Sequence, residues 1–484
     1  MKIFDEFTSA VRALPGPRWR GTVVSTIGRT LIVAGLDTQL AVGDICTVIR
    51  RDGSKLPSEV IGFRDGETII MPLGELGGIG HGAPVYFDGV YFSVRPSDGW
   101  LGRIVNGLGQ PIDGLGPLPQ GEFTLPVRGT PPPALDRKPV GQRLHTGIRA
   151  VDVFTPLCRG QRLGIFAGSG VGKSTLLSML ARNSESRVTV IGLIGERGRE
   201  VREFVSNLGK HGLSRSIIVA ATSDESPLMR RQASYLTLAL AEDQRKRGRQ
   251  VLCMMDSVTR FAMALREIGL AAMEPPTAKG YPPSVFSELP RLLERAGPGT
   301  RQQGDITGIY TVLVDGDDHN EPIADAVRGI LDGHVILSRS IAERGRFPAV
   351  DILKSLSRML PDCHSDWEYA VYRQARKWIA VYEEREELIK LGAYQPGNDP
   401  ELDRAIALYP QIDAFLSQQS NDQGEDISTF EQLAKIIDFT QKPPHEDSLG
   451  HDNKKPKSPT DQPPIETALA PAPAQVMSNF KSNS

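Results

Sequence analysis

Cysteine is scarce in this 484-residue sequence: Cys46, Cys158, Cys253 and Cys363 are the only four, and no two stand at a metal-clamping spacing. That excludes a zinc ribbon or a disulfide-stapled secreted scaffold and favours a reducing, cytoplasmic setting. Cys253 lies inside an apolar run and reads as a small core residue. No apolar stretch approaches the ~20 residues that span a bilayer, and Met1-Lys2-Ile3-Phe4-Asp5-Glu6 lacks the apolar heart of a secretion signal. No transmembrane segment is therefore expected. An excess of one charge is missing too. Lys and Arg number 56 against 58 Asp and Glu, a net charge of −2, so no global basic field attracts nucleic acid or anionic lipid. Clustered aromatics of the kind that stack single-stranded bases are absent from the N-terminal part.

What is present is a sequence long enough for two or three domains, with patterning that changes along it. Residues 1–95 hold short strand candidates separated by turns (Gly21–Ser25, Thr30–Ala34, Ile45–Ile49, Glu59–Phe63, Thr68–Pro72 and Pro84–Phe87), which predicts an N-terminal β-barrel. Residues 96–145 are rich in Gly and Pro and read as a linker. From 146 to 362 apolar strands (Leu163–Phe166, Val188–Ile194, Ile217–Ala221, Val251–Met255, Gly308–Val314, His334–Ser338) alternate with helical stretches such as Leu228–Arg247. That alternation predicts an α/β domain with a doubly wound, mostly parallel sheet. Residues 363–440 read as helical: Asp366–Leu391 is amphipathic and stopped by Gly392, and Asp399-Pro400 opens a further helix. Residues 441–484 are rich in Pro, Lys, Asp and Ser, and too little apolar area is available there to offset ordering entropy. The expectation is a disordered tail.

The most informative segment is Ala167, Gly168, Ser169, Gly170, Val171, Gly172, Lys173 and Ser174, with an apolar strand before it and a helix from Thr175 after it. Glycines let backbone N–H groups turn inward as an anion nest, and the helix N-terminus adds positive dipole. Lys173 then reaches the outer phosphates of a nucleotide, and the Ser174 hydroxyl suits Mg²⁺. Ala167 stands where a first glycine is usual, which is tolerable if φ there is negative.

Other candidates surround this loop. Asp256 ends the apolar run Val251–Met255, where a carboxylate can fix the Mg²⁺ shell through water. Glu196 follows the strand Val188–Ile194 and can orient an attacking water; from the segment alone a solvated charged turn is an equal reading. Arg358 can supply charge to a departing phosphoryl group, although without outside information an ordinary surface arginine is the commoner case. Arg197 and Arg260 are similar candidates. Phe347, before Pro348, suits stacking on a base but equally suits a core position.

Taken together, residues 101–440 resemble the rotary-type ATPases, and within them the type III secretion branch that includes the flagellar protein-export ATPases. The resemblance is carried by Leu101-Gly102-Arg103-Ile104-Val105-Asn106-Gly107-Leu108-Gly109, the phosphate loop, Gly195-Glu196-Arg197-Gly198-Arg199-Glu200 and Met255-Asp256-Ser257-Val258-Thr259-Arg260-Phe261. Lys279-Gly280-Tyr281-Pro282-Pro283-Ser284-Val285-Phe286 is the most distinctive, and Thr311 to Asp318 and Asp399-Pro400-Glu401-Leu402 add to it. The resemblance implies ATP and Mg²⁺ as ligands, a homohexamer with ATP between neighbours, Glu196 as catalytic carboxylate, Arg358 as a finger across the interface and Phe347 against adenine. It also implies a peripheral-stalk-like regulatory protein, a central-stalk-like export protein, the membrane export gate and chaperone–cargo complexes as partners. The place of action it implies is the cytoplasmic face of the inner membrane. Asp315 departs from the family's usual Glu.

Three other readings stay in view. A virulence injectisome ATPase shares nearly all the site residues. A non-catalytic nucleotide-binding subunit of a rotary ring is opposed by Glu196. A hexameric nucleic-acid translocase is opposed by the balanced charge.

Overall fold

A computed structural model of the chain describes residues 19–87, 92–314, 321–420, 422 and 428–440. The expected tail and Asp315 lie outside the described residues.

Six short strands close into a barrel: β1 (Trp19–Ile27), β2 (Thr30–Ala34), β3 (Ile45–Ile49), β4 (Lys55–Arg64), β5 (Glu67–Pro72) and β6 (Pro84–Phe87), in the order β1-β2-β5-β4-β3-β6. All pairings are antiparallel. Val23, Leu31, Val33, Val48, Val60, Ile70 and Val85 fill the interior. β-branched residues dominate that list, as suits a pleated, half-buried surface.

The chain then passes through residues 92–145. Residues 96–145 of this stretch read as a linker from the sequence, and part of them is built into the main domain. Ser93–Val94 (β7) pairs with Leu125–Pro126 (β9), and Ile104–Val105 (β8) forms one edge of the central sheet. Arg103 Nε holds Asp113 at 2.7 Å just before that edge strand, and the guanidinium keeps the Asp113 carboxyl well below the usual range. So short a strand carries too little periodicity to stand out among Gly and Pro.

After a small pair, Arg143–Leu144 (β10) with Leu157–Cys158 (β11), the central sheet is built from β12 (Arg162–Ala167), β13 (Val188–Glu196), β14 (Ser216–Thr222), β15 (Val251–Asp256), β16 (Ile306–Leu313), β17 (Gly333–Leu337) and β18 (Leu356–Ser357). Its order is β18-β17-β12-β16-β15-β13-β14-β8, parallel throughout except for the β17–β18 edge. Successive residues alternate between two cores. Ile217 and Val219 join the one beneath helices Pro227–Lys246, Val258–Ala271 and Pro283–Leu293, and Ile218 and Ala220 join the one beneath Lys173–Asn183. Both faces are covered, so these strands read as continuous apolar runs, as buried parallel strands do.

The helices Asp366–Lys390, Pro400–Leu416 and Thr429–Ile436 share the second core through Val371, Leu408, Phe415 and Phe430. Their starts follow from local chemistry. Ser365 and Glu368 form a capping box, and the Asp399 carboxylate accepts from the N–H groups of Glu401 and Leu402 with Pro400 at the first helical position. The barrel joins the first core through Ile61, Ile69 and Met71. It is bolted there by buried Glu59, which accepts from Arg128 at 2.8 Å and from Arg231.

Candidate functional site

The phosphate loop sits at the C-terminal end of β12, where an open parallel sheet gathers its functional groups. Gly170 and Gly172 have φ of 79° and 90°, a region that favours glycine. Gly172 carries a second constraint: a Cβ there would lie 3.2 Å from the Phe347 ring. Ala167 is fully buried at the strand end and needs no left-handed backbone, so alanine fits in place of the usual glycine. The helix Lys173–Asn183 starts directly after Gly172.

Three strand ends bring the charges together. Lys173 Nζ lies 2.5 Å from Asp256 Oδ1 at the end of β15 and 3.4 Å from Glu196 Oε1 at the end of β13. β13 and β15 pair directly, with Leu193 opposite Asp256, but β16 lies between β15 and the loop strand β12. The acids are therefore not delivered by strands paired with the loop strand; they reach Lys173 across β16. That intervening strand supplies a residue which sequence reasoning did not single out: the Thr311 hydroxyl donates to Asp256 Oδ1 at 2.6 Å. A signal was available, because Thr311 is a buried polar residue in an otherwise apolar strand, and such groups are held to hydrogen-bond partners. Thr259 was also passed over; its hydroxyl accepts the Leu313 N–H at 2.9 Å and pins the end of β16 to the helix Val258–Ala271.

The cluster perturbs its own protonation. Burial pushes the Glu196 carboxyl up, the neighbouring Asp256 charge adds to this, and Lys173 opposes both; the result is a pKa of about 7. Burial acts to lower the Lys173 ammonium, but Asp256 and Glu196 outweigh it and hold the group above the usual lysine value. Glu200 falls below the ordinary carboxylate range, chiefly because it accepts a hydrogen bond from Glu196.

A cavity of about 480 Å³ opens over the loop, walled by Glu196, Arg197, Glu200, Arg260 and Val314 and reaching Ser174 and Thr175. Arg260 packs its stem against Gly195, and its Nε is buried without a hydrogen-bond partner. Arg197 is exposed and caps the helix Gly198–Ser214. On the other side of Gly172 and Thr175 lies a second cavity of about 560 Å³, lined by Leu176, Met179, Phe347 and Gln418. Phe347 is 42% exposed, and its carbonyl accepts the Gln418 N–H at 2.7 Å. A polar cavity over an anion nest thus meets an apolar one beside an aromatic ring, the pairing of surfaces that a nucleotide presents.

Arg358 is not brought into this group. It is exposed just after β18, beside the start of β17 and so at the end of the strands away from the loop, with its N–H on the Asp332 carbonyl, and it does not line either cavity. A third cavity of about 580 Å³, between Arg128, Tyr235, Glu288 and Arg295, contains none of the candidates.

Comparison with known proteins supplies the context for this geometry. The ATP synthase alpha/beta family, nucleotide-binding domain, matches residues 147–357, and the T3SS EscN ATPase C-terminal domain matches residues 365–435. The chain is 56% identical over 423 residues to the flagellum-specific ATP synthase of Caulobacter vibrioides, covering 86% of this chain and 95% of that one. Its fold is similar to the assembled ATPase EscN of the enteropathogenic E. coli type III secretion system, with a TM-score of 0.81 and 40% identity over 86% of this chain and all of that one. The same ATPase in complex with its central stalk EscO gives a TM-score of 0.78 at 39% identity, with the same coverage.

Proposed function

The chain belongs to the ATP synthase alpha/beta family, in its type III secretion branch, and from that premise we propose a Mg²⁺-dependent ATPase that works as a homohexameric ring to energise flagellar protein export. It hydrolyses ATP to ADP and phosphate. The observation that carries this is Lys173 held between Asp256 and Glu196 at the mouth of the phosphate loop.

In this reading the triphosphate replaces the two carboxylates as partner of the Lys173 ammonium. Glu196 is thereby released to orient the attacking water, and a carboxyl titrating at about 7 is matched to accepting its proton near neutral pH. Thr311 keeps Asp256 in place through its hydrogen bond. Arg260, and more peripherally Arg197, add positive charge along the cavity wall. Phe347 meets the base in the apolar cavity. Arg358, remote from the loop of its own chain, acts in the site of a neighbour, where a planar and permanently charged fork stabilises the departing phosphoryl group.

The residues present suit Mg²⁺. Ser174 lines the cavity, and Asp256 is held 2.5 Å from Lys173, which lines it too, so a hydroxyl and a carboxylate are both at hand for the ion. When bound there, the ion would neutralise charge on the outer phosphates.

The EscN assembly with its central stalk supports a homo-oligomer and a stalk-like partner for this chain. A peripheral-stalk-like regulator, the export gate and chaperone–cargo complexes at the cytoplasmic face of the inner membrane complete the reading. Among the described residues no helix is long and apolar enough to cross a membrane. Export through an injectisome is the second reading; the 56% identity to a flagellar relative against 46% to a type 3 secretion system ATPase of Xanthomonas euvesicatoria favours the first.

The test is ATP turnover per chain as protein concentration is raised. Sites completed by a neighbour give a rate per chain that climbs and then levels off as rings form. A flat rate from a monomer would overturn the shared site, and strong stimulation by RNA would return the translocase reading. Replacing the native gene by one encoding Lys173→Ala separates flagellar from injectisome work: filaments fail to assemble in the first case, effector secretion fails in the second.

A further inference from the structure

Two of the four cysteines meet where the nucleotide-binding sheet joins the helical region. Cys158 ends β11, paired in register with Arg143 of β10. Cys363 lies between β18 and the helix Asp366–Lys390, its N–H on the Met359 carbonyl. Arg143 spans the two segments, with its guanidinium on His364 Nδ1 at 3.1 Å and on Glu368 at 2.8 Å. The Ser357 hydroxyl donates to the Pro156 carbonyl at 2.8 Å, a second tie between them. The two thiols lie close enough to act on each other, neither is in a disulfide, and Cys363 is the half-buried, accessible one while Cys158 is buried.

We propose that Cys158 and Cys363 form an oxidation-responsive dithiol that closes to an intramolecular disulfide when a hydroperoxide reaches Cys363. The Cys363 thiolate attacks the outer oxygen of the peroxide, the O–O bond breaks, and the alcohol or water departs with one proton, leaving Cys363 as a sulfenic acid. The Cys158 sulfur then attacks that sulfur, the S–O bond breaks, and hydroxide leaves with the Cys158 proton as water. The two thiols are oxidised by two electrons and the peroxide is reduced. The surroundings suit this division of labour. The hydrogen bond from Cys158, opposed by burial and helped by His364 and Arg143, holds Cys363 well below the ordinary thiol range, and Cys158 is driven well above it. The two other thiols are poor competitors, since burial pushes both Cys46 and Cys253 up to about 12.

The experiment treats the full chain at pH 7 with a small molar excess of hydrogen peroxide and maps its peptides without reduction. Wild type is expected to lose two of its four free thiols, yield a Cys158–Cys363 linked peptide within one chain and recover both thiols with dithiothreitol. Cys158→Ser is expected to stop at a Cys363 sulfenic acid that dimedone traps. Cys363→Ser is expected to form no link and to lose thiols at least ~10-fold more slowly. Equal loss from all four cysteines, Cys363 running on to sulfinic acid in wild type without a link, or a link only between chains would each overturn the proposal.

Discussion

The barrel and the central sheet are both built from apolar strands, yet they place their polar groups differently. In the barrel, β1 alternates buried and half-buried positions from Gly21 to Val24, and the closed circle leaves no strand edge unpaired. Its charged bolt, Glu59 with Arg128 and Arg231, joins it to the rest of the chain. In the sheet, β13 is buried along its length until Glu196, and β15 is buried to Asp256. In these two strands the charges appear only at the C-terminal ends, and there they crowd around one lysine. Closure makes a shell, and open strand ends make a site. Disturbing the first should cost stability, and disturbing the second should cost turnover.

The comparison is broken most directly at Lys173. Lys173→Ala is expected to reduce turnover below detection and to weaken ATP binding, as read by steady-state hydrolysis and nucleotide titration. Wild-type rates would end the assignment. Arg358→Ala, remote from the loop of its own chain, is expected to lower kcat by roughly 10³–10⁵ while nucleotide affinity stays near wild type. A loss of affinity without loss of kcat would count against an arginine acting across subunits.

Glu196→Gln is expected to lower kcat by roughly 10²–10⁴. In wild type the rate should rise through about pH 7 as the carboxyl ionises, and the variant should lack that rise. Stability gives a second reading. The folded-state pKa of about 7 lies above the ordinary 4.5, so between those values the folded chain binds more protons than the unfolded chain. This group's contribution to stability is thus greatest below pH 4.5 and declines as pH rises to about 7. Glu196→Gln should therefore melt no lower than wild type at pH 8, and a clear drop in Tm would make the residue structural.

Smaller effects sharpen the contrast. Thr311→Val removes one hydroxyl from Asp256 at nearly constant volume; a loss of about 1.4 kcal/mol in positioning corresponds to roughly tenfold in kcat. An unchanged kcat would deny Thr311 its positioning role. At the far end, Ile70→Ala in the barrel core should cost about 2–5 kcal/mol in chemical denaturation and leave kcat unaltered well below the lowered Tm. A kcat change there would mean the barrel reaches the chemistry.

Much of this was legible in the sequence, because local chemistry writes itself along the chain. Apolar runs such as Val251–Met255 give buried parallel strands, Asp399 with Pro400 starts a helix, and glycines before Lys173 give an anion nest. Neighbours in space that are not neighbours in sequence were not written there. The edge strand Ile104–Val105 is too short to show a period, and only its partner Ser216–Thr222 makes it a strand. Thr311 becomes important only because β16 slips between β12 and β15. That Glu196 lies beside Lys173 follows from where β13 ends, a placement set by strand order.

The sequence by itself determined the elements and the nest, since propensity, capping and glycine's freedom act over a few residues. Only the tertiary structure decided which charges share one low-dielectric corner. It raised a glutamate to about 7 there and left Arg358 at the opposite end of the strands, because burial and Coulomb coupling depend on through-space distance and not on position in the chain.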